Sequence, residues 1–238
     1  MTDFADIWTY LAQGPLLWLA ATLAAYAIGD AAYRASGKSP LVNAVPVAVV
    51  LLALMLWITG TSYATYFEGA QFVHFLLGPA TVGLALPLWE ARHHVRRAIL
   101  PILAALFAGS LTAMVSTLAI AHAFGVTGEV FASLAAKSTT ARVAIGIAEA
   151  VGGSPTLTAV LVILTGVTGA IVATSLLNLL GLTDWRARGF AVGVAAHGLG
   201  TARAMQVHPV AGAFAGLGMG LNAVLTALLA PVILNLFR

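Results

Sequence analysis

The chain has 238 residues, of which 61% are hydrophobic and only 8% are charged. An ordinary soluble domain carries about 25% charged residues, so this composition, with a mean hydropathy of +0.98, indicates an all-α integral membrane protein. It excludes soluble enzymes, nucleic-acid-binding modules and disordered tails; the net charge is only +3, and the basic residues lie mostly at segment ends. Because a span and its connection take roughly 25–30 residues, we expect about eight membrane segments.

Three apolar runs occupy the N-terminal part of the chain, residues 1–97, which we expect to form a scaffold. The chain opens with the acidic residues Asp3 and Asp6. A signal peptide would be basic there, so the first run is expected to remain as a helix. The three runs cover residues 15–33, 41–58 and 71–91.

The third run contains Gly78, Pro79 and Thr81 near its middle. Proline has no backbone N–H group to donate, so a Gly-Pro pair within a membrane helix predicts a kink or an interruption. We therefore expect a helix break at these three residues.

The rest of the chain contains two blocks of similar layout. Each block has a clean apolar span, followed by a less hydrophobic segment with charge in its middle. The first block covers residues 98–153, and the second covers 154–238 and ends in a further span. Paired interrupted segments in corresponding positions point to a transporter site near the bilayer midplane, and they predict an internal repeat.

Charge bias favours opposite orientations for the two blocks. If the basic cluster at 92–97 lies inside, by the positive-inside rule, the first span of the first block runs outward. Arg186 and Arg188 then lie inside only if the segment 127–151 re-enters the membrane instead of crossing it. The blocks would be inverted copies. Crossed broken helices remain an alternative, since 25 residues at 1.5 Å per residue suffice for two half-helices.

Three positively charged residues lie within the interrupted segments: Lys137, Arg142 and Arg203. Each such charge costs roughly 2.5–3.5 kcal/mol on insertion scales, and no acidic residue lies near the middle of either segment. The three cations therefore predict an anionic ligand, and arginine can hold a carboxylate by two parallel hydrogen bonds. The alternative is that these side chains snorkel or bond to carbonyl groups of the broken helices.

Hydroxyl and glycine residues beside these charges predict two helix N-termini within the membrane. Hydroxyl side chains cap a half-helix, and glycine lets the backbone unwind before it. The free N–H groups of a helix N-terminus bind anions, although capping without a ligand is the alternative. The candidates are Ser138, Thr139 and Thr140 in the first segment and Gly198, Gly200 and Thr201 in the second.

Two further polar residues are candidates for the site. His197 is the histidine that we place deepest in the membrane, and it could carry a proton because histidine titrates near physiological pH. A structural hydrogen bond is the alternative role. Asn222, within the last span, could bond to an interrupted segment or to a neighbouring helix.

Other features predict what the chain lacks and how it associates. It has no cysteine, and its other histidines lie near segment ends or in the basic loop, so we expect no metal site, cofactor or enzymatic activity. A stripe of glycines four residues apart allows close helix packing, including packing in a homodimer. These are Gly212, Gly216 and Gly220.

Four stretches of the sequence resemble the signature stretches of the LrgB/CidB family, and the likeness runs from about residue 40 to the end. They are Leu76–Val82, Ala136–Thr140, Ala196–Ala204 and Ala211–Asn222. The residues that match the polar signature of the family are Lys137, Ser138, Thr140, His197, Gly200, Thr201 and Arg203. The chain departs from the family at Arg142, where proline is usual, so hairpin geometry or substrate choice is expected to differ.

The resemblance implies a multi-pass protein of the bacterial inner (plasma) membrane. Bacterial members are called antiholin-like or autolysis-modulating and act beside a small LrgA/CidA-type membrane partner. The plastid relative moves glycolate and glycerate, and bacterial relatives are linked to pyruvate. We therefore expect a secondary transporter of small monocarboxylates (glycolate, glycerate, lactate or pyruvate type), coupled to protons if His197 titrates. An antiholin-like regulator or pore component that controls murein hydrolase activity is the alternative.

Overall fold

The computed structural model describes residues 14–37, 39, 42–83, 89 and 92–237, and this part of the chain is helical, with turns and no strand. The predicted acidic residues Asp3 and Asp6 lie outside it. Contacts divide the chain into two compact units, Met1–Gly83 and Leu84–Arg238. The helices are α1 (Pro15–Ala35), α2 (Ala44–Thr59), α3 (Tyr63–Gly83), α4 (Arg92–Arg97), α5 (Ile99–Ala123), α6 (Gly128–Leu134), α7 (Ala141–Val151), α8 (Pro155–Leu179), α9 (Trp185–Val207) and α10 (Pro209–Leu236).

Four of the described helices, α1, α5, α8 and α10, are long and apolar enough to cross a bilayer. Helix α2 is also apolar but has only 16 residues. Leucine, valine, isoleucine and phenylalanine remain exposed along the long helices, as expected for surfaces that face lipid. The prediction of an all-helical membrane protein is therefore confirmed, while the number of about eight segments stays a prediction.

The first unit consists of helices α1, α2 and α3. Trp18 of α1 is fully buried, and its ring meets the ring of Tyr66 in α3 edge to face, with centroids 5.8 Å apart. The hydroxyl groups of Thr22 and Tyr66 lie 3.1 Å apart and form a hydrogen bond. At Gly69, a Cβ atom would stand 2.1 Å from the carbonyl oxygen of Pro15, so the backbones of α1 and α3 meet there.

The helix interruption predicted at Gly78, Pro79 and Thr81 is wrong. Helix α3 continues through all three residues and ends at Gly83. A proline removes one backbone hydrogen bond, and an apolar helix can keep the rest of its ladder around it. The side chains of these residues lie outside the described part.

The first interrupted segment folds back on its first helix, α6. Helices α6 and α7 are separated by the non-helical residues 135–140. At the end of α6, the Ser133 hydroxyl accepts a hydrogen bond of 2.8 Å from the backbone N–H of Ser154, which precedes α8. The Thr158 hydroxyl donates to the carbonyl of Ser133 at 3.3 Å. The segment is therefore a hairpin whose tip is the turn at 135–140.

The second interrupted segment, α9, is also a hairpin. Its backbone leaves helical geometry at Ala196 and at His197, which has a φ of 41° and a ψ of −133°. The ring of Trp185, the first residue of α9, stacks on the ring of His208, the residue after α9, with centroids 4.8 Å apart. Both ends of the segment therefore lie together, and the tip is at 196–197. The predicted interruption is confirmed in both segments.

Helix α8 positions the two hairpins relative to each other. The first hairpin contacts the start of α8 through Ser133, which bonds to Ser154 and Thr158. The base of the second contacts its end, where Arg188 donates to the carbonyl of Thr174. Since α8 has 25 residues, or about 38 Å of helix, the hairpins enter the second unit from opposite ends.

The second hairpin packs tightly on α10 along its first half. At Gly189 and Gly193, a Cβ atom would lie 2.1 and 2.0 Å from the carbonyl oxygens of Ala211 and Ala215. Only glycine permits such close approach of two helix backbones. The first half of α9 and the start of α10 are therefore in direct backbone contact.

Candidate functional site

Asn222 joins the tips of the two hairpins. Its side-chain amide donates to the carbonyl of Ser138 in the first tip and to the carbonyl of Val194, just before the second tip, both at 3.1 Å. Its own oxygen accepts a hydrogen bond from the hydroxyl of Ser110 in α5. Asn222 is 1% exposed, so these bonds satisfy a deeply buried amide. The prediction that Asn222 could bond to a hairpin is confirmed.

His197, at the second tip, is held against α8. Its Nε2 atom lies 2.9 Å from the carbonyl oxygen of Val162, so this nitrogen carries the proton and donates it. At Gly166, one turn further along α8, a Cβ atom would stand 2.6 Å from the imidazole Cε1. The ring therefore fits only because residue 166 has no side chain.

The first tip presents the N-terminus of helix α7. Thr140 is the N-cap residue, as predicted, but its side chain makes no capping hydrogen bond. The Thr139 side chain is 1% exposed, and its hydroxyl has no hydrogen-bond partner in the described part of the chain. Lys137, at the same tip, is half-buried. A cation and a buried hydroxyl thus accompany an uncapped helix N-terminus.

The second tip presents another helix N-terminus. The half-helix 198–207 starts directly after His197. The predicted capping role of Thr201 is wrong, because its hydroxyl donates to the carbonyl of His197 one turn earlier, at 2.7 Å. A side chain one full turn inside the helix is too late to cap the first N–H groups. Gly198 is half-buried beside Met219, and Gly200 packs on Ala196.

The two half-helices point away from each other along the unit. Helix α7 runs from its tip toward the start of α8, and Gly153, just after it, lies against Ser133 of α6. The half-helix 198–207 runs toward the end of α8, where His208 meets Trp185. Both positive dipole ends therefore lie at the tips, in the interior of the unit. The free N–H groups at these two helix N-termini can donate to an anion.

Two predicted anion-binding residues lie away from this place. Arg142 follows the first tip and its side chain is exposed. Arg203 is 6% exposed, but it lies six residues, or about 9 Å of helix, beyond His197. It lines a separate cavity with Trp185 and Arg188 at the base of the second hairpin. The structure therefore brings Lys137, the hydroxyl run and His197 together without Arg203.

The predicted glycine stripe on α10 is divided between two environments. At Gly212, a Cβ atom would stand 2.3 Å from the Met205 side chain, so this glycine serves packing inside the chain. Gly220 is exposed and has open space beside it. Only part of the stripe is therefore free to contact another molecule.

The base of the second hairpin carries an exposed ion pair. The Asp184 carboxylate caps α9 by accepting the backbone N–H of Arg186 at 2.8 Å, and it pairs with the guanidinium of the same residue. The side-chain hydrogen bond from Arg186 lowers the pKa of Asp184 to about 2. The carboxylate therefore remains ionised at any physiological pH.

Several residues that build the site were not singled out from the sequence. Ser110 and Gly166 lie inside apolar spans, where a small residue usually indicates only helix packing. Arg188 and Trp185 lie at a segment end, where a charge indicates topology and an aromatic residue indicates the membrane interface. The Ser110–Asn222 bond joins residues 112 positions apart, so no local pattern indicates it.

Comparison with known proteins places the chain in a family. The model of the LrgB-like family matches residues 22–236. The chain is 34% identical to "Uncharacterized protein YxaC" of Bacillus subtilis (strain 168) over 219 residues, 91% of this chain and 94% of that protein. It is 31% identical to "Holin-like protein CidB" of a Staphylococcus epidermidis strain over 200 residues, 84% of this chain and 87% of the relative.

A second relative of the same name comes from Staphylococcus aureus (strain Mu50 / ATCC 700699). It is 32% identical over 199 residues, which are 84% of this chain and 87% of the relative. No solved structure matches the chain. The matched residues include both hairpins, α8 and α10, so the resemblance drawn from the four signature stretches is confirmed: the chain belongs to the LrgB-like family of membrane proteins.

Proposed function

We propose that the protein is a secondary transporter that moves a small organic anion, of the monocarboxylate type, across the bacterial inner membrane. The observation that carries the proposal is the meeting of two half-helix N-termini at the tips of opposed hairpins, which Asn222 joins and one of which contains Lys137. A carboxylate bound there would receive backbone N–H groups from both hairpins and a counter-charge from the lysine. This role is not enzymatic and needs no cofactor.

Buried polar groups at the tips support an anion as the ligand. The Thr139 hydroxyl lies in the interior with no partner in the described residues and can donate to an anion. An unsatisfied buried hydroxyl costs free energy, which a ligand would recover. Lys137 brings a positive charge to a region where isolated charges are expensive, and an anion would offset that cost.

The membrane placement follows from α8 as a span. With α8 across the bilayer, the hairpin bases lie at opposite surfaces and both segments are re-entrant, so the two blocks form an inverted repeat. Arg186 and Arg188 are then cytoplasmic, in agreement with the positive-inside rule. Inverted repeats with broken helices at the midplane are typical of alternating-access transporters.

We further propose that His197 couples transport to protons. Its Nε2 proton is committed to the carbonyl of Val162, so the second ring nitrogen, Nδ1, is the one that would gain a proton. A protonated imidazole would add a second positive charge near Lys137 and favour the anion-bound state. Loss of the proton would favour release.

A holin-like function is the second candidate, and the names of the staphylococcal relatives favour it over transport. In this function the chain, alone as a homodimer or with a small LrgA/CidA-type membrane partner, forms or regulates a pore that controls murein hydrolase activity. A simple pore needs no anion site between hairpin tips, and it would pass neutral solutes as well as anions.

The test is uptake of radiolabelled glycolate, lactate and pyruvate into liposomes that contain the purified chain, with and without an inward proton gradient. Lys137→Gln is expected to reduce uptake at least tenfold. Arg97→Gln is the matched control, because it removes one positive charge from an exposed position in α4. We expect this control to transport within twofold of the wild type.

The outcomes separate the two candidate functions. Saturable uptake that depends on Lys137 supports the transporter. Leakage of labelled sucrose together with the anions, unchanged by Lys137→Gln, would overturn it in favour of a pore. If the chain alone gives neither uptake nor leakage, and leakage starts once a small membrane partner is added, the holin-like function is also assigned.

A further inference from the structure

The second tip holds one residue in a backbone conformation that a side chain normally forbids. In the part of the chain that the structure describes, His197 is the only non-glycine residue with a positive φ. Its φ of 41° and ψ of −133° lie outside the three regions that residues with a Cβ atom normally occupy. Gly198 and Gly200 would adopt a positive φ easily, but neither does. The strain at this tip is therefore carried by the histidine, although glycines stand beside it.

Two hydrogen bonds hold the strained residue in place. The imidazole Nε2 donates to the carbonyl of Val162 at 2.9 Å, and the carbonyl of His197 accepts the hydroxyl of Thr201 at 2.7 Å. His197 is 4% exposed and Val162 is 1% exposed. The bond between them lies in a region of low dielectric, where a hydrogen bond is stronger than in water. The ring thus fastens the tip to α8.

Helix α8 receives the tip at two glycines, Gly166 and Gly169, which we call the seat. At Gly166, a Cβ atom would stand 2.6 Å from the imidazole Cε1 and 2.8 Å from the Leu199 side chain. At Gly169, it would stand 2.3 Å from the Cβ atom of Ala196. The residues on both sides of His197 therefore fit on α8 only because the seat has no side chains.

We propose that the second tip is a two-state latch, in which the bond between the His197 ring and Val162 keeps the strained backbone in the seat. A strained conformation persists only while the surrounding contacts enforce it, and such residues cluster in segments that switch. Once the ring leaves Val162, residue 197 can relax to an ordinary conformation, and the segment 194–201 then moves relative to α8. A tip with two positions is a bistable element, which a conformational switch requires.

The latch is a property of the tip and does not depend on the proposed transport. The test is therefore hydrogen–deuterium exchange of the full chain in nanodiscs, without any substrate, followed by mass spectrometry of peptides that cover residues 194–201. Opening of the tip exposes its backbone N–H groups and speeds their exchange.

Two substitutions of His197 separate the strain from the loss of the ring. His197→Ala removes the ring but keeps a Cβ atom at the strained position, so the tip should leave the seat and exchange should rise by about tenfold. His197→Gly also removes the ring, but glycine adopts this conformation freely, so exchange should stay within about threefold of the wild type. Without strain the order would be reversed, because glycine destabilises a helix relative to alanine.

Gly166→Ala tests the ring bond while His197 is retained. The added methyl group displaces the ring from Val162, and we expect exchange to rise as it does in His197→Ala. Gly220→Ala is the matched control, because the same change meets open space there. We expect this control to exchange like the wild type.

Faster exchange in His197→Ala than in His197→Gly, and in Gly166→Ala than in Gly220→Ala, supports the latch. If His197→Gly exchanges as fast as His197→Ala or faster, the backbone carries no strain and the proposal is overturned. Wild-type exchange in Gly166→Ala would also overturn it, because the ring bond would then not hold the tip. If His197→Ala fails to fold while His197→Gly folds, the order of stability supports the strain. If neither folds, the comparison of Gly166→Ala with Gly220→Ala decides.

Discussion

The side-chain amide of Asn222 lies 3.1 Å from the carbonyl oxygen of Ser138, 84 residues earlier in the chain. The same amide bonds to Val194 of the other hairpin. Asn222 is therefore the residue that fixes both tips to α10, and any relative movement of the hairpins must break or exchange these bonds.

Replacing Asn222 with alanine is expected to destabilise the protein by about 2–3 kcal/mol, because two buried carbonyl groups lose their donor. The measurement is the thermal unfolding midpoint in detergent. Asn235→Ala is the matched control, since Asn235 is an exposed residue of the same helix. An equal effect in both variants would show that the bonds to the tips contribute nothing specific.

The close fit of His197 against α8 gives a second prediction. Gly166→Ala places a methyl group 2.6 Å from the imidazole Cε1, so the ring must leave the carbonyl of Val162. We expect uptake in the liposome assay to fall at least tenfold. Gly220→Ala is the control; it has open space and is expected to transport normally, with up to about 1 kcal/mol of added helix stability. Normal uptake by Gly166→Ala would exclude a need for the bond between His197 and Val162.

The hairpin topology predicts a labelling pattern. The chain has no cysteine, so single cysteines can be introduced without a background. In right-side-out membrane vesicles, a membrane-impermeant thiol reagent should reach Glu129→Cys and Glu149→Cys from one face, and Thr183→Cys and Gln206→Cys from the opposite face. All four positions are exposed. If the two cysteines of either pair are labelled from opposite faces, the segment between them crosses the membrane.

The cap at Asp184 gives a prediction about pH. The pKa of this carboxyl is about 2 in the folded protein, below its ordinary value of 3.8. Its charge therefore stabilises the fold above about pH 4, and the stabilisation is lost as the pH falls toward 2. Asp184→Ala is expected to lower the unfolding midpoint at pH 7, and the difference from the wild type should shrink between pH 4 and pH 2. Asp184→Asn keeps an oxygen that can cap α9 but carries no charge. The contribution of its cap to stability should therefore not change between pH 4 and pH 2.

Sequence reasoning located both hairpins because polar residues and glycine interrupt otherwise apolar segments at Lys137–Thr140 and at His197–Gly200. It also found Asn222, since an amide within an apolar span needs a partner. It placed Arg203 at the anion site, whereas the structure places it elsewhere, because the position of a residue along the chain does not reveal which face of a half-helix its side chain occupies. The cavity that Arg203 lines exists only because the hairpin brings Trp185 and Arg188 back beside it.

The stack of Trp185 on His208 also has a consequence for biogenesis. A segment that returns to its starting side does not carry its flanking residues through the bilayer during insertion. In the proposed re-entrant placement, Asp184 and Arg186 therefore stay in water or at the headgroups while the hairpin enters, and the insertion machinery avoids moving two charges at roughly 2.5–3.5 kcal/mol each.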